Sequence, residues 1–298
     1  MKTDLLGLFL PLLEKEIPAR EAAGLDTIPL RTYLGHCFTS SGSLHPAGAF
    51  GYAERLGLMM AALDAAPLRA RILDAGCGYG TESLLFSLSG REVWGVELVV
   101  ERAAFARSRV TYFQNAAGRP LDLRFVNAHI LRFLETGPSF DLIWAMESIS
   151  HIYPPERFFS LCHDRLSEDG LLVVSDPNPM NPLALLRSIR IRGSVRHHPH
   201  RRFSDPETGE PTDYGQEQIV TLSRLRRSLR AAGFEPGPAE ITGFMGSSFL
   251  PESVLASPSA SRYLIHFQEA MKQIPVLRLF GSVYTVVARK RPRGKPRT

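Results

Sequence analysis

Three glycines within five positions follow a short apolar run and leave a stretch of bare backbone. The segment RILDAGCGYG, residues 71–80, places Gly76, Gly78 and Gly80 shortly after Asp74. A phosphate-binding P-loop needs a lysine after its glycines, and none follows here. The spacing is GxGxG rather than the GxGxxG of dinucleotide sites, and a carboxylate beside the loop would repel a pyrophosphate but attract an ammonium group. The loop therefore predicts a ligand that carries positive charge.

The strands and helices that position this loop can be predicted from a regular alternation of apolar runs and helical segments. From residue 71 onward, short apolar runs such as EVWGVEL, FDLIWAME and GLLVVSD alternate with longer segments of helical spacing. This pattern predicts an α/β fold with a Rossmann-like, doubly wound and mostly parallel sheet. The closing SVYTVVARK predicts an antiparallel last strand. Ligands bind at the carboxyl ends of the strands in such sheets, where the glycine loop falls.

The segment LDAGCGYG matches, at each fixed position, the first motif of the class I S-adenosylmethionine-dependent methyltransferases, which the chain resembles from about residue 70 to 180. The resemblance implies S-adenosyl-L-methionine as the cofactor. The loop residues that it implies in cofactor binding are Asp74, Gly76, Cys77, Gly78 and Gly80. Glu97 ends the second strand, where this family holds a carboxylate for the two ribose hydroxyls, because one carboxylate suits two adjacent O–H donors.

Two further strand ends complete the implied cofactor site. Asn127 and Ala128 end the third strand, where the family often has Asp and a small residue beside the adenine, and an Asn amide can both accept from and donate to that base. Met146 and Glu147 end the fourth strand, which passes beneath the methionine part of the cofactor in similar enzymes. The alternative for Glu147 is a cap on the next helix.

His151 lies four residues after the predicted end of the fourth strand, and an imidazole can act as a base near neutral pH. We predict that it takes a proton from the methyl acceptor. The alternative is that a histidine before YPP only fixes a loop. A sulfonium donor carries its own activation, so the remaining task of the protein is to place the acceptor in a water-poor pocket.

No metal site is expected. The three cysteines, Cys37, Cys77 and Cys162, are far apart and lack CxxC spacing, which also makes a disulfide framework improbable. This usage fits a reducing compartment and predicts a cytoplasmic protein.

The flanking regions lack the strand–helix rhythm. Residues 1–65 predict an N-terminal helical cap, whose apolar run LLGLFLPLL is too short to span a bilayer and is expected to pack on the domain as an amphipathic helix. Docking of that helix on a membrane surface stays open. Residues 66–290 predict the methyltransferase domain, with a lid inserted at 181–216. Residues 291–298 predict a basic, disordered tail.

The predicted lid is strongly basic, with six arginines, three histidines and no acid between residues 187 and 203. Its arginines are Arg187, Arg190, Arg192, Arg196, Arg201 and Arg202. They could hold an anionic acceptor, contact nucleic acid, or form salt bridges with the acidic segment SDPETGE that follows. Few aromatic residues are interleaved, so a nucleic-acid partner is not expected.

The expected reaction is methyl transfer to an oxygen of a small-molecule or lipid- or glycan-linked acceptor. One alternative is methylation of RNA or protein through the basic lid and tail, and another is a catalytically inactive cofactor-binding scaffold. The segment SDPNP, residues 175–179, resembles the motif that holds a flipped base amine, but it follows the fifth strand rather than the fourth. Amino-methylation of DNA or RNA is therefore disfavoured.

Overall fold

A seven-stranded sheet forms the centre of the computed structural model. The described residues are 5–33, 46–182, 201–206, 208–214, 220–244, 252–255 and 257–291. The helices are α1 (Leu5–Ala22), α2 (Ile28–Tyr33), α3 (Pro46–Ala65), α4 (Thr81–Leu88), α5 (Val100–Ala117), α6 (Ile130–Thr136), α7 (Pro155–Arg165), α8 (Leu222–Ala231), α9 (Glu252–Leu255) and α10 (Pro258–Gln273). The strands are β1 (Arg71–Ala75), β2 (Glu92–Glu97), β3 (Leu123–Asn127), β4 (Phe140–Met146), β5 (Leu166–Pro177), β6 (Arg201–Ser204), β7 (Pro211–Tyr214), β8 (Phe234–Thr242) and β9 (Val283–Lys290).

The strand order of the large sheet is β3-β2-β1-β4-β5-β9-β8. Strands β1 to β5 pair in parallel, whereas β9 runs antiparallel to both β5 and β8. The predicted mostly parallel sheet with an antiparallel last strand is thus confirmed. The order reverses between the neighbours β1 and β4, and a crevice opens there at the carboxyl edge.

Helices cover both faces of the sheet, because alternate residues of the buried strands point to opposite sides. Ile72 of β1 packs with α3, α4 and α5 on one face, and its neighbour Leu73 packs with α6, α7 and α8 on the other. The N-terminal helix α1 lies over α4 and α5 and buries Phe9, Leu13 and Ile17, one helical turn apart. It packs on the domain, as its sequence predicts.

Helix α3 differs from the expectation of a separate cap over residues 1–65. Its side chains Tyr52, Leu56, Met59 and Leu63 are buried in the same hydrophobic cluster as Trp144 of β4. The helix is therefore one layer of the central domain, and the boundary predicted at residue 65 cuts through a shared core.

The described part of the predicted lid is a two-stranded hairpin, β6 and β7. Arg132 of α6 holds its turn, with Nη2 2.8 Å from Glu210 Oε2 and Nε 3.4 Å from Asp205 Oδ2. The acidic segment thus pairs with a partly exposed arginine of α6. Outside the described residues lie Arg187, Arg190, Arg192, Arg196 and tail residues 292–298, and only the backbone of Arg201 and Arg202 is described. Within the described ranges, no helix has the length and apolar character needed to cross a membrane.

Candidate active site

The glycine loop connects β1 to α4 and has a backbone that favours glycine. Gly76, Gly78 and Gly80 have φ values of 79°, 54° and 75°, in the left-handed region that L side chains rarely adopt. The N–H groups of Gly76 and Cys77 donate to the Val96 carbonyl at 2.9 and 3.0 Å, which fixes the loop against the end of β2.

A cavity of about 280 Å³ lies at the carboxyl edge beside this loop. It brings together nine of the eleven predicted site residues. Those that line it are Asp74, Gly76, Cys77, Gly78, Glu97, Ala128, Met146, Glu147 and His151. Gly80 and Asn127 are not among the lining residues. The cavity also includes Glu82, Arg102, His129 and Ser148, which the sequence analysis did not select.

Gly80 has a structural reason for its identity. A Cβ at this position would lie 2.4 Å from Cζ of Phe125 and 3.0 Å from Cβ of Ala106. The residue directly precedes α4 and lets that helix start close to β3 and α5. Glycine is therefore needed at this position so that the loop can pack closely against Phe125 and Ala106.

Glu97 joins the end of β2 to the glycine loop. Its side chain accepts hydrogen bonds from the N–H of Gly78 at 2.9 Å and of Val99 at 2.8 Å, one on each carboxylate oxygen. Each oxygen keeps acceptor capacity beyond these bonds, and the residue lines the cavity. The Glu97 carboxylate can therefore accept hydrogen bonds from two adjacent ligand hydroxyls.

Asp74 and Glu82 are two buried carboxyl groups in the same cavity. The Ser83 hydroxyl donates to Asp74 Oδ2 at 2.6 Å. Burial, reinforced by the nearby charge of Glu82, raises the pKa of Asp74 from its ordinary 3.8 to about 8. Burial likewise raises the pKa of Glu82. A cationic group in the cavity would favour the charged form of both carboxylates.

The Asn127 amide is used differently from the sequence prediction. Its Nδ2 donates to the carbonyls of Glu97 and Leu98 at 2.8 and 3.0 Å, so both N–H bonds hold the chain after β2. The expectation that this NH₂ donates to an adenine nitrogen is wrong for this arrangement, because the donors are already engaged. The cavity wall beyond β3 is formed instead by Ala128, His129 and Ile130.

Glu147 follows β4 in a left-handed conformation, with φ of 49°. Its N–H donates to the Ser175 carbonyl at 2.6 Å, and its Oε1 lies 2.5 Å from Nη2 of Arg55 in α3. The following 3₁₀ turn, Ile149–His151, is preceded by Ser148, and α7 is preceded by Pro154. Glu147 therefore does not occupy a helix-cap position, and the alternative of a capping role is wrong.

His151 ends the 3₁₀ turn and lines the cavity. Asp176 of β5 lies against this turn, where its carboxyl group interacts with the N–H and the hydroxyl of Ser150. Burial raises the pKa of Asp176 to about 8, and the charge of Glu147 adds to the effect. Sequence reasoning considered Asp176 only as part of a base-amine motif and missed this contact.

The residues at the cavity fit S-adenosylmethionine. The cavity lining offers three carboxyl groups, Asp74, Glu82 and Glu97, as acceptors for an ammonium group and for ribose hydroxyls, beside a glycine-rich backbone. Ser148 lines the cavity, and its Oγ is buried without a hydrogen-bond partner within the described part of the chain.

The chain matches the family model described as "Methyltransferase domain" over residues 50–236. The match exceeds half of the chain, which therefore belongs to this family, that of the Rossmann-like class I methyltransferases whose cofactor is S-adenosyl-L-methionine. The matched region begins within α3, in agreement with the place of that helix in the core.

Similar proteins include two named "Ubiquinone biosynthesis O-methyltransferase". That of Rhizobium etli (strain CIAT 652) is 28% identical over 183 residues, which are 61% of this chain and 65% of the relative. That of Rhizobium rhizogenes (strain K84) is 30% identical over 173 residues, or 58% and 63% of the two chains. Each match spans less than two thirds of the relative's length.

Two solved structures show the same fold. An S-adenosylmethionine-dependent methyltransferase from Archaeoglobus fulgidus aligns with a TM-score of 0.51 and 19% identity, covering 80% of this chain and 92% of the other. Magnesium protoporphyrin IX methyltransferase from Synechocystis PCC 6803, solved with bound SAH, aligns with a TM-score of 0.51 and 14% identity, covering 81% and 84%.

Proposed function

We propose that this chain transfers the methyl group of S-adenosylmethionine to an oxygen atom of a small-molecule acceptor, either free or linked to a lipid or glycan. The observation that carries the proposal is one cavity lined by Asp74, Glu97 and His151. When bound, the cofactor supplies a methyl group activated on a sulfonium. Asp74 and Glu82 would hold its ammonium group, and Glu97 its ribose hydroxyls.

His151 is the residue that we assign to the acceptor. It lines the same cavity as Asp74 and Glu97 and follows β4, at the switch point of the sheet. An imidazole has an ordinary pKa near 6.5, only about 3.5 units below that of a phenol, so it can remove the proton of a phenol-like hydroxyl far more readily than that of an aliphatic alcohol. We therefore propose an acidic hydroxyl as the acceptor. The O-methyltransferase names of the relatives support oxygen as the methylated atom.

The proposed acceptor end also contains an ion pair. Glu147 lines the cavity and is paired with Arg55 of α3. The arginine-rich lid remains our proposal for holding an anionic group of the acceptor, and the cytoplasmic location remains a prediction from cysteine usage.

Methyl-labelled S-adenosylmethionine tests the proposal in a cell extract that is then separated into small molecules, lipids, RNA and protein. We expect label in the small-molecule or lipid fraction, bound through oxygen. Label in RNA or protein would support the alternative through the basic lid and tail. Absence of label in every fraction, with cofactor binding intact, would support the inactive scaffold.

The role of His151 is tested with the labelled acceptor in hand. His151→Gln should lower turnover about 100-fold, because a positioned base contributes a factor of this order. His266→Gln is the matched control, since His266 lies exposed on α10. Unchanged turnover of His151→Gln would remove the base assignment while leaving the methyl-transfer proposal in place.

A further inference from the structure

A buried ion pair ties the N-terminal helix to the core. Arg109 of α5 donates from Nε to Glu16 Oε1 and from Nη2 to Glu16 Oε2, both at 2.7 Å. Both side chains are fully buried, with 0% of each exposed. The pair is therefore bidentate and shielded from water, the geometry in which an arginine–carboxylate interaction is strongest.

The same guanidinium reaches the glycine loop. Arg109 Nη1 donates to the Tyr79 carbonyl and to the Thr81 hydroxyl, each at 2.7 Å. Tyr79 lies between Gly78 and Gly80 and lines the cavity. One side chain thus connects α1, α5 and the loop over which the cofactor is proposed to bind.

A second contact follows a parallel route. The Tyr79 ring packs edge-on against Phe105 of α5, with ring centroids 5.5 Å apart. Arg20, which like Glu16 belongs to α1, places its guanidinium 4.5 Å from the centroid of the Phe105 ring. Helix α1 therefore supports the Tyr79 residue through its carbonyl and through its ring.

The burial of Arg109 makes these contacts interdependent. A buried guanidinium without its carboxylate is strongly unfavourable, so Arg109 would turn toward water if α1 left the core. The Tyr79 carbonyl and the Thr81 hydroxyl would then lose their donor. The loop contains three glycines of positive φ, whose backbone has little preference of its own for the bound shape.

We propose that Glu16 and Arg109 are positioning residues for the cofactor loop, so that α1 belongs functionally to the cofactor site although none of its residues lines the cavity. The inference rests on the proposed function. Because coupling between two equilibria is reciprocal, docking of α1 strengthens cofactor binding and cofactor binding strengthens docking of α1.

The test compares two variants at the α1–α5 contact by titration with S-adenosylhomocysteine in a calorimeter. Glu16→Gln removes the counter-charge of Arg109 and should weaken binding about tenfold. Tyr112→Phe is the control, because the Tyr112 hydroxyl donates to the Leu12 carbonyl at 3.1 Å and joins the same helices without touching the loop. Its affinity should stay within about twofold. Equal affinities of Glu16→Gln and wild type would overturn the proposal.

Hydrogen exchange of the wild-type protein provides the second readout and is decisive if Glu16→Gln does not fold. S-adenosylhomocysteine should slow amide exchange in α1 as well as in the loop. Protection confined to residues 76–82 would overturn the coupling of α1 to the site. Failure of the wild type to bind S-adenosylhomocysteine would instead overturn the proposed function, so the two failures are distinct.

Discussion

The Asp176 carboxyl group interacts with the N–H and the hydroxyl of Ser150, the middle residue of the 3₁₀ turn that ends at His151. Asp176 lies on β5 and is 1% exposed, whereas His151 lines the cavity. A side chain outside the cavity lining thereby sets the position of the proposed base.

Asp176→Ala should lower turnover about tenfold, because loss of the carboxyl group removes its contacts with Ser150 and the turn with His151 loses its fixed position. The Kd for S-adenosylhomocysteine should stay within about twofold, since Asp176 does not line the cavity. Steady-state kinetics together with calorimetry measures both quantities. A large loss of cofactor affinity with unchanged turnover would contradict this role.

Cofactor binding should release protons near neutral pH. The pKa of Asp74 is raised to about 8, so this carboxyl is mostly protonated at pH 7 in the absence of a ligand. A ligand ammonium favours the carboxylate, so binding drives off up to about one proton, and affinity rises as the pH increases toward 8.

Calorimetry of S-adenosylhomocysteine at pH 7, in buffers of different ionisation enthalpy, measures that release. Asp74→Asn should reduce it, with the remainder coming from Glu82, whose pKa is also raised. A binding enthalpy that is independent of the buffer would show that no carboxyl changes its protonation on binding.

The raised pKa of Asp74 also predicts how stability depends on pH. Between its unfolded value of 3.8 and its folded value of about 8, the native state binds more protons than the unfolded state. The free energy of unfolding therefore falls as the pH rises through this window, by up to about 1.4 kcal/mol per pH unit from this group. Asp176 acts in the same direction.

Asp74→Asn removes one of these contributions. The variant should be more stable than the wild type at pH 8 by at least about 1 kcal/mol, with a smaller difference at pH 5, although it binds the cofactor more weakly. Urea unfolding at both pH values measures the effect. Asp122→Asn, at an exposed position, is the control and should change neither value. If Asp74→Asn were less stable than the wild type at pH 8, the prediction that the buried Asp74 carboxylate destabilises the native state at this pH would be wrong.

Gly80→Ala should destabilise the protein more than Gly118→Ala does. Both residues have positive φ, so a Cβ costs about 1 to 2 kcal/mol at either position. At Gly118 the added Cβ meets nothing within 4 Å, whereas at Gly80 it lies 2.4 Å from the Phe125 ring. The additional loss at Gly80 should be at least about 1 kcal/mol in the free energy of unfolding. Equal losses in thermal unfolding would show that packing against Phe125 does not require the glycine.

The parts of the molecule that the sequence predicted well depend on local patterns. The parallel strands are short apolar runs, and the glycine loop with Glu97 follows from one motif and the next strand end. The prediction placed nine site residues that do line one cavity. Periodicity and motif spacing suffice here because neighbouring parallel strands bring their carboxyl ends to the same edge.

The parts that it missed depend on contacts between distant segments. In the sequence, Glu82 resembles any acidic residue in the first turn of a helix. Glu16 and Arg109 are 93 residues apart in the chain, so no local pattern links them. Strand β8 contains Pro236 and Pro238, which cannot donate a backbone hydrogen bond to a neighbouring strand; it lies at the sheet edge, and its register shifts between Pro236 and Ala239. No local pattern reports these pairings.

The most direct test of the cofactor site is the titration of S-adenosylhomocysteine into the wild type, Glu97→Gln and Glu92→Gln. Glu97 and Glu92 end and begin the same strand, but Glu92 bonds Arg71 and Trp94 away from the cavity. We predict that the wild type and Glu92→Gln bind alike, and that Glu97→Gln binds about 10 to 100 times more weakly through loss of charged hydrogen bonds. A wild type that does not bind, or equal affinity for all three proteins, would contradict the account.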